Sequence, residues 1–227
     1  MLTSLLLKKP SLSKDDMKKY RPVSNLTFIS KVLEKAVAKK NSVAFKLYNK
    51  HLKSFQSVYK KFHSTETALL KIHNDILMAM DKGKVTALAL LDLSAAFDTI
   101  DHTILVGRLN TWFGIGGPAL AWLSSYLLDR TQQIKLGDSF SPTAHLPFGV
   151  PQGSVLGPLL FTLYTTPLST AIHGHRIQHH LYADDSQLYL SFSSADSASS
   201  LTILQGCLAS VEKWMFQNKL KLNPGKN

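Results

Sequence analysis

Two adjacent carboxylates, Asp184 and Asp185, are the residues of this sequence best suited to chemistry. Apolar and polar residues alternate on both sides of them, over 177–182 and 187–192. This alternation predicts a β-hairpin with both aspartates at its tip. Two interpretations are open, because Asp is a common residue of solvated turns and because Mg²⁺ prefers hard oxygen ligands such as carboxylates. A metal site would need a further carboxylate from elsewhere in the chain.

Asp92 is the candidate for that further carboxylate. It follows Val85–Leu91, an apolar run that predicts a buried central strand. A carboxylate at the end of a buried strand is costly unless it is paired or bound to a metal. Asp98, Asp101 and His102 are also of metal-ligating types, but Asp near the start of a predicted helix favours a role as a cap or as a partner of the helix dipole, which is the interpretation we adopt.

The elements that must position these carboxylates follow from hydrophobic periodicity. Residues 1–25 are predicted to be extended or irregular, and a strand is predicted at Gln132–Leu136. Helices are predicted for the stretches 26–37, 64–81, 103–113, 117–128, 159–172 and 201–215. In the second of these, Ser64 is the predicted N-cap. The side chains predicted to face inward there are Leu69, Leu70, Ile72, Ile76, Leu77 and Met80.

A glycine- and proline-rich loop covers residues 148–158, immediately before the fifth predicted helix. Its glycines allow the backbone to touch a substrate. A glycine loop at a helix N-terminus is also compatible with phosphate binding. C-caps and tight turns produce similar strings, so the loop alone does not identify a ligand.

Charge and composition restrict the function classes. Of the 26 Lys and Arg, 15 lie in residues 1–61 beside only three acidic residues, whereas the remaining 11 are balanced by 12 Asp and Glu. This distribution favours either a polyanion-binding region or a solvated lysine-rich surface. The single cysteine excludes an internal disulfide framework and fits a reducing compartment. We expect no signal peptide, no transmembrane segment and no membrane partner, and an intracellular location, nuclear or cytoplasmic.

Four strings, in this order, resemble the reverse transcriptase domain of LINE-type retrotransposons, which lack long terminal repeats. They are Leu91-Asp92-Leu93-Ser94-Ala95-Ala96-Phe97-Asp98, Gly149-Val150-Pro151-Gln152-Gly153-Ser154, Tyr182-Ala183-Asp184-Asp185 and Leu220-Lys221-Leu222-Asn223-Pro224-Gly225-Lys226. The strings 19–24 and 63–68 are similar to the fingers region of that family. Each string alone is weak evidence for the family, but the presence of all of them in the right order makes the resemblance very specific.

The resemblance implies an α+β right-hand polymerase fold. Fingers would occupy residues 1–84 and the palm residues 85–227, with a ferredoxin-like palm sheet and helices on one face. Because the chain stops soon after Lys226, we expect the thumb to be absent and no endonuclease domain to precede the fingers.

The resemblance also implies RNA-directed DNA polymerase activity, which adds a deoxynucleotide to a primer 3′-hydroxyl. Two Mg²⁺ ions, with Mn²⁺ as a possible substitute, would be carried by the catalytic residues Asp92 and Asp184 beside Asp185. Lys226 matches the family lysine that is proposed to protonate pyrophosphate. An RNA template, a DNA primer and deoxynucleotides are the implied partners, and the oligomeric state is not implied.

The remaining implied site residues contact nucleotide or nucleic acid. Phe97 matches the steric gate that excludes a 2′-hydroxyl, although a core aromatic is the alternative interpretation. The residues assigned to the deoxynucleotide are Ala95, Ala96, Phe97, Gln152, Gly153 and Lys60. The residues assigned to primer and template are Tyr182, Arg21 and Lys61.

One departure from the family lies in the fingers. Val58 replaces a glycine and Lys60 replaces an arginine in the string 56–60. A residue other than glycine disfavours positive φ, and lysine lacks the bidentate fork of arginine. We therefore expect weaker nucleotide binding than in relatives with the intact motif, and a higher KM for deoxynucleotides. Val58→Gly combined with Lys60→Arg should lower that KM again.

Two alternatives to a polymerase remain at this point. The chain could be an inactive nucleic-acid-binding remnant that keeps the fold and the basic fingers. It could also be a metal-dependent phosphohydrolase that uses the same carboxylates, although the extra His and Asp ligands usual for such sites are missing. A primer-extension assay distinguishes a polymerase from the inactive remnant. Analysis of the products distinguishes a polymerase from a phosphohydrolase.

Overall fold

The computed structural model describes residues 1–13, 15–16, 19–40 and 64–223. These residues belong to two compact units, one within 1–47 and 97–163 and the other within 48–96 and 164–227. In the described part of the chain, no helix has the length and apolar character needed to cross a membrane.

The described helices and strands have the following bounds. The helices are α1 (Phe28–Lys40), α2 (Thr65–Met80), α3 (His102–Thr111), α4 (Gly117–Leu127), α5 (Gly157–Thr165), α6 (Leu168–His173) and α7 (Ser197–Gln217). The strands are β1 (Leu2–Leu7), β2 (Tyr20–Asn25), β3 (Val85–Leu91), β4 (Arg130–Leu136), β5 (Ser139–Phe140), β6 (Ala144–Leu146), β7 (Gln178–Tyr182) and β8 (Asp185–Phe192).

The first unit contains a mixed sheet in the order β2-β1-β4-β5, with β6 also paired to β4. Strand β1 runs antiparallel to β2 and parallel to β4. Pro22 lies in β2 at the edge of this sheet, where the missing N–H of proline removes no interior ladder bond. The extended conformation predicted near the N-terminus is therefore confirmed for the strands β1 and β2.

The described helices agree with the predicted stretches in place and type, with one interruption. The single helix predicted over 159–172 is wrong, because α5 ends at Thr165 and α6 begins after Pro167. Proline has no N–H to donate to the preceding turn and its ring crowds the carbonyl four residues earlier. The proline therefore separates two helices that hydrophobic periodicity alone joins.

The second unit contains an antiparallel sheet in the order β3-β8-β7. The prediction that β3 is a buried central strand is wrong, since β8 is central and β3 lies at the edge. Leu88 and Leu90 on β3 are 44% and 56% exposed. A continuous apolar run is typical of strands covered on both faces, but here the two faces of β3 are covered unequally.

Helix α2 has the predicted N-terminus and a different buried face. Ser64 and Thr67 form a reciprocal capping box, which confirms the predicted N-cap. The buried side chains are Ala68, Ile72 and Ala79. Of the six residues predicted to face inward, Leu69, Leu70, Leu77 and Met80 are exposed. Several stripes of this helix are apolar, so periodicity could not select the one that packs.

A partly buried hydrogen bond fixes α2 to the sheet of the second unit. The hydroxyl of Tyr189 on β8 donates to Oδ2 of Asp75 at 2.6 Å. Lys71, one turn earlier on α2, forms an ion pair with the same oxygen at 3.0 Å. This contact holds the helix against the strand that begins with Asp185.

Candidate functional site

The hairpin that carries the two adjacent aspartates is present, with a register that differs slightly from the prediction. Tyr182 pairs with Asp185, so the turn consists of Ala183 and Asp184, and Asp185 is the first residue of β8. Ala183 has φ +54 whereas Asp184 does not have positive φ. This combination matches a type II′ turn, which suits the twist of a two-residue hairpin. Only Asp184 therefore lies at the tip.

Strand pairing brings Asp92 next to the turn of this hairpin. The ladder between β3 and β8 ends at the Leu91–Ser186 pair, so Asp92 and Asp185 follow one step beyond it on opposing strands. Both residues line a cavity of about 250 Å³ together with Leu90, Leu91, Ser186 and Gln187. The convergence of Asp92 with one hairpin carboxylate thus follows from the register of two strands.

The donor atoms at this cavity fit a divalent cation. Asp92 and Asp185 supply carboxylate oxygens, and Gln187 Oε1 is buried with no hydrogen-bond partner in the described part of the chain. Mg²⁺ is commonly held by one or two carboxylates together with phosphate oxygens of a substrate. Among the described residues, no group of three or more His, Cys, Asp or Glu side chains is close enough to hold a metal. Asp184, half-buried in the turn, therefore does not complete a three-residue cluster with Asp92 and Asp185.

Asn223 holds the Asp92 side chain. Its Nδ2 donates to Asp92 Oδ2 at 2.8 Å, and its backbone N–H donates to the Asp92 carbonyl at 2.9 Å. A bridge between Leu93 and Leu222 aligns the two segments. Asn223 belongs to the C-terminal string of the family resemblance, and this membership is the only sign of its role in the sequence.

The segment after Asp92 exposes a backbone that a ligand can approach. Ala95 is exposed with φ +50, and Ala96 is buried. Positive φ costs a residue other than glycine about 1–3 kcal/mol, and such residues concentrate at functional sites. The N–H of Ser94 donates to the Lys221 carbonyl at 2.8 Å, which anchors the start of this segment.

In the first unit, the loop 97–100 is fastened to the glycine loop. The N–H groups of Gly149 and Val150 donate to the carbonyls of Ile100 and Phe97, each at 2.8 Å. Gly149 has φ +87, and a Cβ there would lie 3.0 Å from both Cα and O of Asp98. Only glycine fits this close approach of two backbones without strain. The two loops therefore hold each other in a fixed register.

His102 strengthens the same junction. Its buried Nε2 donates to the Gly149 carbonyl at 2.7 Å. Asp101 caps α3 by accepting from the N–H of Ile104 at 3.0 Å, which confirms its predicted role. Asp98 is not a cap, which corrects our interpretation of that residue. Asp98, Asp101 and His102 thus make three separate contacts.

Asp98 instead contacts Gln152. The Nε2 of Gln152 donates to both Asp98 carboxylate oxygens, each at 3.0 Å. Partial burial raises the pKa of Asp98 above its ordinary value, and the Gln152 hydrogen bond opposes that rise. Ser24 N–H donates to the Gln152 carbonyl at 2.9 Å, which fixes the backbone of the loop. Asp98 and Gln152 both line a cavity of about 330 Å³.

The other predicted site residues of the first unit are accessible to different degrees. Phe97 is half-buried, with its ring centroid 5.0 Å from that of Phe161 on α5, so one side of the ring packs on the core. Gly153 is exposed with φ +90, and Arg21 is exposed on β2. In the second unit, Tyr182 is half-buried at the end of β7.

Glu34 binds the backbone of the glycine loop, and the hydrophobic periodicity of its helix did not predict this role. It is buried on α1, and its Oε2 accepts from the N–H groups of Val155 and Leu156 at 2.6 and 3.2 Å. Its Oε1 accepts from the Tyr126 hydroxyl at 3.2 Å. Burial raises the pKa of Tyr126, which keeps that hydroxyl protonated as a donor. A carboxylate at the N-terminus of α5 also complements the helix dipole.

Some predicted residues lie outside the described part of the chain. These are Lys60, Lys61 and Lys226 among the predicted site residues, together with Val58 of the altered fingers string. Their assigned roles stay predictions.

Comparison with known families gives one match over nearly the whole chain. Residues 7–227 match the family described as reverse transcriptase (RNA-dependent DNA polymerase). A probable RNA-directed DNA polymerase from transposon BS of Drosophila melanogaster is 31% identical over the full chain and 25% of its own length. The RNA-directed DNA polymerase from mobile element jockey of the same organism is 27% identical over 98% of the chain and 24% of its length. The chain thus spans about a quarter of the curated relatives that it matches.

Solved structures with a similar fold include telomerases of two yeasts. Telomerase from Candida albicans, in complex with a fragment of telomeric RNA, has a TM-score of 0.65 at 14% identity, over 99% of this chain and 41% of that one. Apo telomerase from Candida tropicalis, truncated from its C-terminal domain, has a TM-score of 0.61 at 15% identity, over 91% and 47%. At these identities the likeness shows the fold, which agrees with the predicted fingers and palm.

Proposed function

Since the chain belongs to the reverse transcriptase (RNA-dependent DNA polymerase) family, we propose that it catalyses RNA-templated addition of deoxynucleotides to a primer. The predicted resemblance to LINE-type retrotransposons is confirmed by this membership and by the transposon relatives. The observation that carries the proposed reaction is the cavity lined by Asp92 and Asp185.

The proposed cofactor is a pair of divalent cations. Asp92 and Asp185, which line the same cavity, would hold them, with Asp184 of the adjacent turn as the third proposed ligand. Mg²⁺ is the expected ion and Mn²⁺ a substitute. When bound, two such ions supply activation of the primer hydroxyl and stabilisation of the leaving phosphates. Asn223 keeps Asp92 in one orientation for this role. Lys226 is proposed to provide the proton to pyrophosphate.

Deoxynucleotide binding is assigned to the residues that the family resemblance indicates. Ala95 and Ala96 would offer backbone N–H groups to the triphosphate, and Phe97 would exclude a 2′-hydroxyl. Gln152 and Gly153 would contact the incoming nucleotide, and Lys60 its phosphates. The exposed side of the half-buried Phe97 ring is compatible with this role.

An RNA template and a DNA primer are the proposed partners. The 15 Lys and Arg of residues 1–61 supply the positive charge that attracts a polyanion. Arg21 and Lys61 are proposed to contact the nucleic acid, and Tyr182 the primer end. The division into fingers at 1–84 and palm at 85–227 is part of the same proposal.

Primer extension on an RNA template with Mg²⁺ or Mn²⁺ tests this function. We expect extension by the wild type and its loss in Asp92→Asn and in Asp184→Ala with Asp185→Ala. Glu212→Gln, which changes an exposed carboxylate on α7, is the matched control and should retain activity. A folded wild type that binds primer–template in a salt-dependent way without extending it would contradict the proposal and favour a binding remnant. Cleavage without extension would favour a phosphohydrolase.

A further inference from the structure

The contact between Asp98 and Gln152 restricts the chemistry that Gln152 can present. Gln152 carries one donor group, the amide NH₂, and one acceptor, Oε1. Its Nε2 lies 3.0 Å from each oxygen of Asp98. An ionised carboxylate only accepts hydrogen bonds, so it can face the NH₂ end of the amide and not Oε1. The amide of Gln152 therefore has one orientation while Asp98 is ionised.

Both ends of this arrangement are anchored to backbone. Asp98 is fixed because Gly149 packs against its Cα and O, with no room for a Cβ. Gln152 is fixed because its carbonyl accepts from Ser24 N–H. The hydrogen bond thus joins two positions that cannot drift apart easily, beside a cavity of about 330 Å³ that both residues line.

We propose that Asp98 is a positioning residue that holds the Gln152 amide so that Oε1 is offered as an acceptor to a hydroxyl or amino group of a nucleotide. The identity of the ligand rests on the proposed polymerase function, whereas the orientation of the amide does not. Asp98 acts through Gln152 and does not itself contact the ligand.

Two substitutions of Asp98 separate orientation from packing. In Asp98→Asn, the new amide can accept from Nε2 or donate to Oε1, so both orientations of Gln152 become available. In Asp98→Ala, the contact is lost. We expect both variants to raise the KM for deoxynucleotide by about three- to tenfold, the range expected for one ordered hydrogen bond, with a smaller effect on kcat.

A double-mutant cycle with Gln152→Ala identifies the route of the effect. If Asp98 acts through Gln152, adding Asp98→Ala to Gln152→Ala leaves KM at the value of Gln152→Ala alone. Independent, additive effects would overturn the proposal. Asp101→Asn is the matched control, since this carboxylate lies in the same loop and caps α3 instead. Asparagine caps a helix about as well as aspartate, so this variant should change neither stability nor KM appreciably. A rise in KM equal to that of Asp98→Asn would mean that the Asp98 effect is not specific to its contact with Gln152.

The amide resonances of Gln152 provide a readout that does not depend on activity. Their signals, assigned by their loss in Gln152→Ala, should shift with pH as Asp98 titrates in the wild type and should not shift in this way in Asp98→Asn. If the chemical shifts of the Gln152 amide do not change as Asp98 titrates, the proposed contact is overturned. If the wild type shows the titration and does not extend a primer, the polymerase function fails while the positioning contact stands. The dissociation constant of deoxynucleotide then replaces KM, and an unchanged constant in Asp98→Ala overturns the role in binding.

Discussion

Asn223 donates a hydrogen bond from Nδ2 to Oδ2 of Asp92 at 2.8 Å, so a residue 131 positions away orients the carboxylate that ends β3. One of the two Asp92 oxygens is thereby engaged by an amide. Loss of a group that orients a metal-binding carboxylate in this way typically lowers metal affinity by about 10–100-fold.

Asn223→Ala should weaken the response to divalent cations. We expect the Mn²⁺ or Mg²⁺ concentration for half-maximal primer extension to rise about 10–100-fold, as for other residues that hold a ligand. Asn74→Ala, at an exposed position of α2, is the control and should leave this concentration unchanged. Equal metal responses in the Asn223 variant and the wild type would mean that the hydrogen bond does not orient Asp92 for metal.

Gly149→Ala should destabilise the first unit. The new Cβ would lie 3.0 Å from backbone atoms of Asp98, and φ +87 is unfavourable for alanine. Strain and overpacking together should lower the free energy of unfolding by about 2–4 kcal/mol, measured by denaturant titration. Gly107→Ala is the matched control, because its Cβ meets nothing within 4 Å inside α3. It should be neutral or stabilise by up to about 1 kcal/mol, and a similar loss in both variants would argue against the close contact.

Glu34→Ala should also reduce stability, since it leaves the N–H groups of Val155 and Leu156 without their acceptor. We expect a loss of roughly 2–4 kcal/mol in the free energy of unfolding, which reflects buried donors deprived of a partner. Lys35→Ala, at the exposed neighbouring position of α1, should have little effect. If the two variants unfold at the same denaturant concentration, Glu34 does not cap α5 in solution.

His179 should make stability depend on pH. Burial lowers the pKa of this histidine to about 4, while its imidazole shares a hydrogen bond of 2.8 Å with Ser169. Between pH 6.5 and 4 the unfolded chain binds a proton that the folded chain does not, so stability falls as pH falls through this range. The contribution of His179 to that loss is roughly 3 kcal/mol.

Unfolding of the wild type and His179→Gln at pH 7 and pH 4 measures this contribution. The wild type should lose more stability than the variant over this interval, because glutamine does not titrate. His73→Gln, at an exposed position of α2, is the control and should behave as the wild type does. An identical pH dependence in the wild type and His179→Gln would show that His179 takes up its proton without unfolding.

The sequence by itself determined the family, the order of the motifs and most element positions. Its alternating pattern predicted the hairpin of β7 and β8, and local chemistry predicted the caps at Ser64 and Asp101. These signals are short-range, because capping and strand alternation depend on residues a few positions apart.

Only the tertiary structure decided which residues meet. It placed β3 at a sheet edge and buried the charged side chain of Glu34 on α1. It also joined Asp98 to Gln152 and Asn223 to Asp92. Such contacts depend on which strands become neighbours and on the approach of backbones that are distant along the chain, and short-range patterns of residue types specify neither.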